Sequence, residues 1–190
     1  RDSLAKACQE ANTAQHLSDV MAGTESGNRM NLETFVQRSY MEKILCDANR
    51  RFRDMSNGQF ELKLINVEDA GEGRNKGLDL EVYSIVTGKR RSVNTLSGGE
   101  SFMAALSLAL GMADQIQAAT AAIHLDVMFI DEGFGSLSDN ARNEAVNVLK
   151  EMAGKQRQIG IISHVSELKD EIENQLIVKK DDRGSHISWR

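Results

Sequence analysis

Ser97, Gly98, Gly99 and Glu100 stand at the head of a long apolar-faced helical pattern, in an S-x-x-E arrangement. There the hydroxyl and the carboxylate satisfy each other's orphan backbone N–H groups as a capping box. Gly98 and Gly99 carry no Cβ, so the spacing predicts that an outside group approaches their amides closely, and a helix N-terminus favours an anion. The geometry suits a phosphate. The plainer reading is a helix cap and nothing more, because S-x-x-E is a common run.

A second run, Val127 to Ile130, is continuously apolar and ends in Asp131-Glu132. It predicts a strand of the buried parallel kind, whose C-terminal end is where ligands of open α/β sheets gather. Adjacent side chains on extended backbone diverge, so the two carboxylates do not chelate one ion together. A division of labour follows: one carboxylate holds Mg²⁺ through water, and the other orients or deprotonates an attacking water. Taken alone, the pair also reads as an ordinary solvated strand end. A third run, residues 159–162, delivers Ser163 and His164 to a strand end. A lone histidine there is usually structural, but a strand, helix, strand order within about 40 residues is a βαβ unit with parallel strands, which places His164 beside Asp131 and Glu132. Between them lies GFGSLSD at 133–139, in which Ser138 or Asp139 can cap the crossover helix.

The elements that must position these groups are legible from periodicity. Residues 1 to about 22 suit a helix with a narrow apolar seam of Leu4, Ala7, Ala11, Ala14 and Met21, and residues 23–28 form a flexible break. Leu32, Phe35, Val36, Tyr40, Ile44, Leu45, Ala48, Phe52 and Met55 hold one face of a second helix, ending at Asn57-Gly58. Alternating residues at 60–64 and 78–82 predict two strands around the loop GEGRNKG at 71–77, which lacks dinucleotide-fingerprint spacing. Gly88 turns a hairpin; a helix at 98–118, a strand at 124–131, a helix at 139–153 and a strand at 158–163 follow, with a short helix near 166–173 and strands at 175–180 and 185–190.

The 190 residues suffice for one ordinary domain and a single site. Cys8 and Cys46 lie far apart with no C-x-x-C, so both are expected to be buried thiols rather than metal ligands. The longest apolar stretches fall short of the ~20 residues needed to cross a bilayer and no signal segment opens the chain, which points to a soluble, cytoplasmic protein with no membrane partner. Proline is absent and the chain opens at Arg1, so a segment of a longer polypeptide is expected.

A phosphate-holding helix end, a magnesium carboxylate and a catalytic carboxylate together imply a nucleoside triphosphate, yet no G-x-x-x-x-G-K-[ST] occurs in the sequence. The phosphate cradle is expected from another segment or chain. As a set, LSGGE at 96–100, LDVMFIDE at 125–132, GSLSD at 135–139 and His164 resemble the signature, Walker B, D-loop and switch-histidine motifs of ATP-binding-cassette ATPases. Glu100, and the strings LSGGESFMAALSLAL and FIDEGFGSLS, resemble the SMC-like, chromosome-maintenance branch and within it the SbcC-like DNA-repair ATPases; LETFVQRSYMEKILCDANRRF resembles the segment where their coiled coil re-enters the head.

That resemblance implies an α/β fold, the C-terminal lobe of an ABC-type ATPase head with a parallel βαβ core, a helical signature subdomain and an N-terminal coiled-coil stub. Residues 1–30 would close the coiled coil and 31–190 form the lobe. It further implies ATP and Mg²⁺ as cofactors, with Asp131 coordinating Mg²⁺ through water, Glu132 as general base and His164 as sensor of the γ-phosphate. Ser97, Gly98, Gly99, Glu100 and Asp139 would act in trans on nucleotide held by a second copy. Partners implied are the N-terminal half of the same protein, a second head, an SbcD-type metal-dependent nuclease and DNA; this chain alone, without its phosphate loop, is expected to be inactive. Two alternatives stand beside it: a chromosome-maintenance ATPase without a nuclease partner, and a dimerisation module.

The formal charge of −5 excludes a uniformly basic nucleic-acid-binding domain. Residues 1–95 balance 14 basic against 14 acidic groups, so the acidity belongs to the half that holds the motifs. Arg38, Lys43, Arg50, Arg51 and Arg53 on the second helix, and Lys89, Arg90 and Arg91 at the hairpin, are candidates to touch phosphate backbone or a partner, against the plainer reading of a solvated face.

Overall fold

Asn31 starts the central helix: its side chain accepts a hydrogen bond from the Thr34 N–H at 2.7 Å, and Glu33 sits in the first turn, where a negative charge favours the helix end. In the computed structural model, which describes residues 2–23, 30–66, 77–119, 125–153, 157–182 and 184–190, this helix, α2, runs Leu32–Met55 after a first helix, α1, at Asp2–Ala22. Asn57 and Gly58 both take positive φ, 54° and 75°, and the Gly58 N–H closes on the Arg53 carbonyl at 2.7 Å, which ends α2. The seam residues Leu4 and Ala7, Cys8, and most of the break and of the loop at 71–77 lie outside the described side chains.

β1 (Phe60–Leu64), β2 (Leu80–Ser84) and β3 (Arg90–Ser92) form an antiparallel sheet in that order. Asn49 of α2 locks onto the outer edge of β1. Its amide donates to the Leu62 carbonyl at 2.8 Å while its carbonyl accepts the Leu62 N–H at 2.7 Å, so one side chain stands in for a neighbouring strand. α3 (Gly98–Ala119) crosses α2 where Gly111 meets it; a Cβ on Gly111 would lie 2.7 Å from the Ile44 carbonyl and 2.9 Å from the Ala48 nitrogen. Only a glycine lets the two backbones approach so closely.

β4 (Val127–Asp131), α4 (Asp139–Ala153) and β5 (Gln158–Ile162) form the expected βαβ unit, with β4 and β5 parallel and Asp131 paired with Ile162. α5 (Leu168–Glu171) leads to an antiparallel hairpin of β6 (Leu176–Asp181) and β7 (Gly184–Trp189). Phe52, Met55, Leu62, Val82, Leu106, Leu110, Ile130, Phe134, Val146 and Leu149 belong to one buried cluster, so the β1–β3 sheet and β4 share a core with α2, α3 and α4.

Four expectations are corrected. The strand at 127–130 is not buried on both faces: Ile130 is buried, while Val127 and Phe129 are 53% and 72% exposed. Within the described residues its sheet has two strands and its outer face is uncovered, so a continuous apolar run does not by itself report what lies on each side. The predicted face of α2 is buried only at Leu45, Ala48, Phe52 and Met55; Leu32, Phe35, Val36 and Tyr40 are exposed. Cys46 is exposed, one position off that buried stripe. Finally, α3 is long and apolar enough, by length and composition, to cross a bilayer. Its buried Met103, Leu106, Leu110 and Ala113 make it instead the core helix of this lobe.

Candidate functional site

The head of α3 is built as the S-x-x-E run predicts. The Ser97 N–H donates to Glu100 Oε2 at 2.7 Å, and the Glu100 N–H donates to Ser97 Oγ at 3.3 Å. The Ser97 hydroxyl accepts the Glu100 N–H in this box while its rotatable proton stays available as a donor, to the Glu100 carboxylate or to a group outside. Glu100 has a further partner that periodicity could not supply: Arg91 of β3 places Nη2 3.2 Å from Oε1. The other end of that guanidinium donates to the Thr95 carbonyl at 2.8 Å, and its carbon lies 5.2 Å over the Phe60 ring. Burial pushes the Glu100 carboxyl up, but the Ser97 N–H, the Ser97 hydroxyl and Arg91 outweigh it together and hold the group below the usual carboxylate range.

The two glycines differ. A Cβ on Gly99 would lie 2.8 Å from the Ser136 carbonyl, whereas one on Gly98 would meet Ser136 Cβ at an ordinary 3.5 Å. The bare Cα of Gly99 is thus taken up by packing within the chain. Gly98 and Ser97 are the exposed members of the pair of turns.

At the other edge, β4 ends in Asp131 and the chain leaves the strand abruptly. Glu132 adopts φ 60°, left-handed backbone that a non-glycine residue enters at a cost, while its N–H still donates to the Ile162 carbonyl at 2.9 Å. This turn swings the carboxylate out of the strand's alternation and onto the neighbouring strand's end, where Oε2 lies 2.8 Å from His164 Nδ1. The tautomer that donates from Nδ1 leaves Nε2 outward, beside the side-chain-free Cα of Gly135. Asp131 and Glu132 are both exposed, and Glu132 lies outside the extended backbone that the sequence pattern predicts for both. Among the described residues no three His, Cys, Asp or Glu groups converge as a metal site. A cation at Asp131 would therefore take one protein carboxylate and complete its shell with water and phosphate oxygens, which is the manner of Mg²⁺.

The two edges are joined. Gly133 takes φ 97°, and the Phe102 ring fills the place where a Cβ would stand, so the first turn of α3 packs directly on the residue after Glu132. Phe102 and Phe134 meet edge to face at 5.0 Å. In the segment that follows, Ser138 caps α4 through the Ala141 N–H at 3.4 Å, and Arg142 holds Asp139 at 3.1 Å and the Leu137 carbonyl at 3.3 Å. Arg142 and Gly133 were not singled out by sequence reasoning, and Arg91 was singled out as a contact to phosphate or a partner rather than to Glu100. Only Gly133, a glycine directly after a strand end, carried a local signal.

The basic candidates are mostly engaged within the chain: Arg90 with Glu81 at 2.5 Å, Arg53 with Glu61 at 3.2 Å, Arg51 with Asp114, and Arg38 with the Ile65 carbonyl at 2.9 Å. Each retains its charge but not an idle side chain.

Residues 75–151 match the family model described as SbcC/RAD50-like, Walker B motif. The chain is 45% identical over 172 residues to the SbcC component of the nuclease SbcCD from Vibrio cholerae, covering 90% of this chain and 17% of that protein. It is 40% identical over 184 residues to the protein of the same name from Treponema pallidum, covering 97% of this chain and 17% of that protein. The chain thus spans about a sixth of the length of these relatives. A solved structure from work on ATP-driven dimerization and DNA-stimulated activation of SMC ATPases superimposes with a TM-score of 0.63 at 19% identity, over 83% of this chain and 89% of that one, which establishes the α/β fold of an SMC-type head. The chain thus carries a segment matching the SbcC/RAD50-like Walker B model and is similar along nearly its whole length to one part of SbcC proteins.

Proposed function

We propose that this chain is the C-terminal lobe of an SbcC-like ATPase head, which hydrolyses ATP held between two heads and thereby controls DNA end processing by an SbcD-type metal-dependent nuclease in the cytoplasm. The observation that carries the reading is the pairing of Glu132 with His164 at the C-terminal edge of the parallel strands.

In this reading Glu132 is the general base: Oε2 is held by His164, and Oε1 is left to accept a proton from the attacking water. His164 fixes the carboxylate through Nδ1, and a hydrogen bond from Nε2 to the γ-phosphate would come from the doubly protonated ring, the one form that donates from both nitrogens. Bound Mg²⁺, held by Asp131 through water, would neutralise charge on the phosphates. Ser97 donates its hydroxyl proton, and the amides at the head of α3 donate theirs, to a γ-phosphate bound by the opposite head. Glu100 shapes that grip rather than forming it, since both its oxygens are engaged within the chain. Asp139, steadied by Arg142, faces across the dimer. The phosphate cradle comes from the N-terminal half of the protein, so this lobe alone does not turn over ATP.

Mixing this chain with the half that carries the phosphate loop is expected to yield ATP hydrolysis absent from either part. In the complete ATPase, Glu132→Gln is expected to retain ATP-driven head association and to stop turnover; undiminished hydrolysis would remove Glu132 from its role. Co-purification of a metal-dependent phosphoesterase separates this reading from a chromosome-maintenance ATPase without a nuclease, and the names of the relatives favour the former.

A further inference from the structure

A carboxylate is an awkward neighbour for a triphosphate. Glu100 stands in the first turn of α3, three residues from the Ser97 hydroxyl that grips the γ-phosphate in the proposed ATPase, and its negative charge opposes any anion brought to that helix end. A neutral glutamine would cap the same turn without this penalty, since its side-chain carbonyl can also accept the Ser97 N–H.

Arg91 answers the difficulty. It reaches from β3 to Oε1 at 3.2 Å, on the side of the carboxylate opposite the oxygen that takes the Ser97 N–H at 2.7 Å. It is not a free surface arginine that happens to lie close. Thr95, whose carbonyl at 2.8 Å and Oγ1 at 3.4 Å both meet Nη1, and the Phe60 ring at 5.2 Å hold the guanidinium from two other sides. Both side chains are largely withdrawn from water, at 33% exposed for Arg91 and 23% for Glu100, so their mutual field is screened less than that of a surface pair. We propose that Arg91 is a positioning residue for nucleotide-driven head association: it neutralises Glu100, so that the head of α3 meets the γ-phosphate as a net donor rather than as a carboxylate.

The Glu100 carboxyl, held below its ordinary range by Ser97 and Arg91 against the opposing effect of burial, agrees with a group kept ionised and paired. The arrangement also joins the antiparallel sheet to α3, because the residue that supplies the charge belongs to the sheet. A side chain serving only to brace this junction would be replaceable by any substitution that keeps the fold, whereas a neutralising one would become dispensable once the charge it opposes is gone.

That difference provides the test, which rests on the proposed ATPase function and is carried out in the complete ATPase bearing Glu132→Gln, so that association is read without turnover. ATP-dependent head association is measured by light scattering across ATP and salt concentrations, with thermal melts of each variant alongside. Arg91→Gln is expected to raise the ATP concentration needed for association about tenfold, more at low salt than at high. Arg91→Lys, which keeps the charge, is expected to lie nearer the parent. Adding Glu100→Gln to Arg91→Gln is expected to recover most of the loss. If the double variant associates no better than Arg91→Gln alone, or if Arg91→Gln matches the parent, the neutralisation is overturned while the ATPase reading stands. If the Glu132→Gln parent itself shows no ATP-driven association, the ATPase reading fails first and this proposal falls with it.

Discussion

The carbonyl of Ser136 occupies the space beside Gly99 that a Cβ would need, 2.8 Å from where that atom would stand. The first turn of α3 and the segment after β4 are therefore fitted to each other through backbone, and the two neighbouring glycines answer to different demands. Gly99→Ala is expected to cost about 1–3 kcal/mol of stability through overpacking. Gly98→Ala, whose new methyl meets Ser136 Cβ at 3.5 Å, is expected to melt within about 0.5 kcal/mol of the parent. Equal losses in urea unfolding would show that the packing at Gly99 is not the cause.

Glu132 carries a backbone cost that only its side chain justifies. Its φ of 60° suits glycine, and its half-exposed carboxylate meets a largely exposed imidazole rather than a buried partner. Glu132→Gly is therefore expected to raise stability by about 1 kcal/mol while removing hydrolysis in the complete ATPase. His164→Ala is expected to change stability by less than about 1 kcal/mol, since exposed pairs contribute little. A large destabilisation by either substitution would recast the pair as structural.

Acid should weaken the head of α3 through Glu100. Its carboxyl titrates lower in the folded chain than its ordinary value of 4.5, so its capping contribution is complete above that value and is lost as pH falls through the lowered folded value. Unfolding midpoints at pH 7 and pH 3 are expected to fall further for the parent than for Glu100→Gln, whose amide does not titrate. An equal fall in both proteins would assign the acid sensitivity elsewhere.

Asp114 of α3 accepts from Arg51 of α2 and, at 2.9 Å, from Arg157 at the entry to β5. Arg157 is only 5% exposed at its side chain. Asp114→Ala is expected to cost about 3 kcal/mol, because it strands a buried guanidinium without its carboxylate. Arg157→Met, which removes the buried charge together with its need, is expected to cost clearly less. The reverse order in denaturant unfolding would contradict this account.

The βαβ unit and the meeting of Glu132 with His164 were legible because crossover handedness and strand direction leave few arrangements for two strands joined by one helix. The capping box was legible because its two residues are local in sequence. Arg91 was not: it lies in a run of three basic residues that reads as a charged surface, and its partner is fixed only by how β3 approaches α3. The exposed faces of Val127 and Phe129 escaped for a related reason, since an apolar run records that a face is meant to be covered but not which element within this chain covers it.

The crossing at Gly111 has a mechanical meaning. Beyond it, the turns of α2 from Leu32 to Tyr40 carry exposed apolar side chains and are held at Arg38 by the Ile65 and Gly77 carbonyls, while Ala48 is clasped against α3 and Asn49 is tied to β1. The span from Leu32 to Ala48 is about 24 Å, so a tilt of about 10° at the crossing would carry its far end through about 4 Å. Backbone packed against backbone has little slack to absorb such a tilt, and a glycine too tight to admit a methyl group thus acts as the stiff fulcrum of a lever whose short arm is the helix that begins at Gly98.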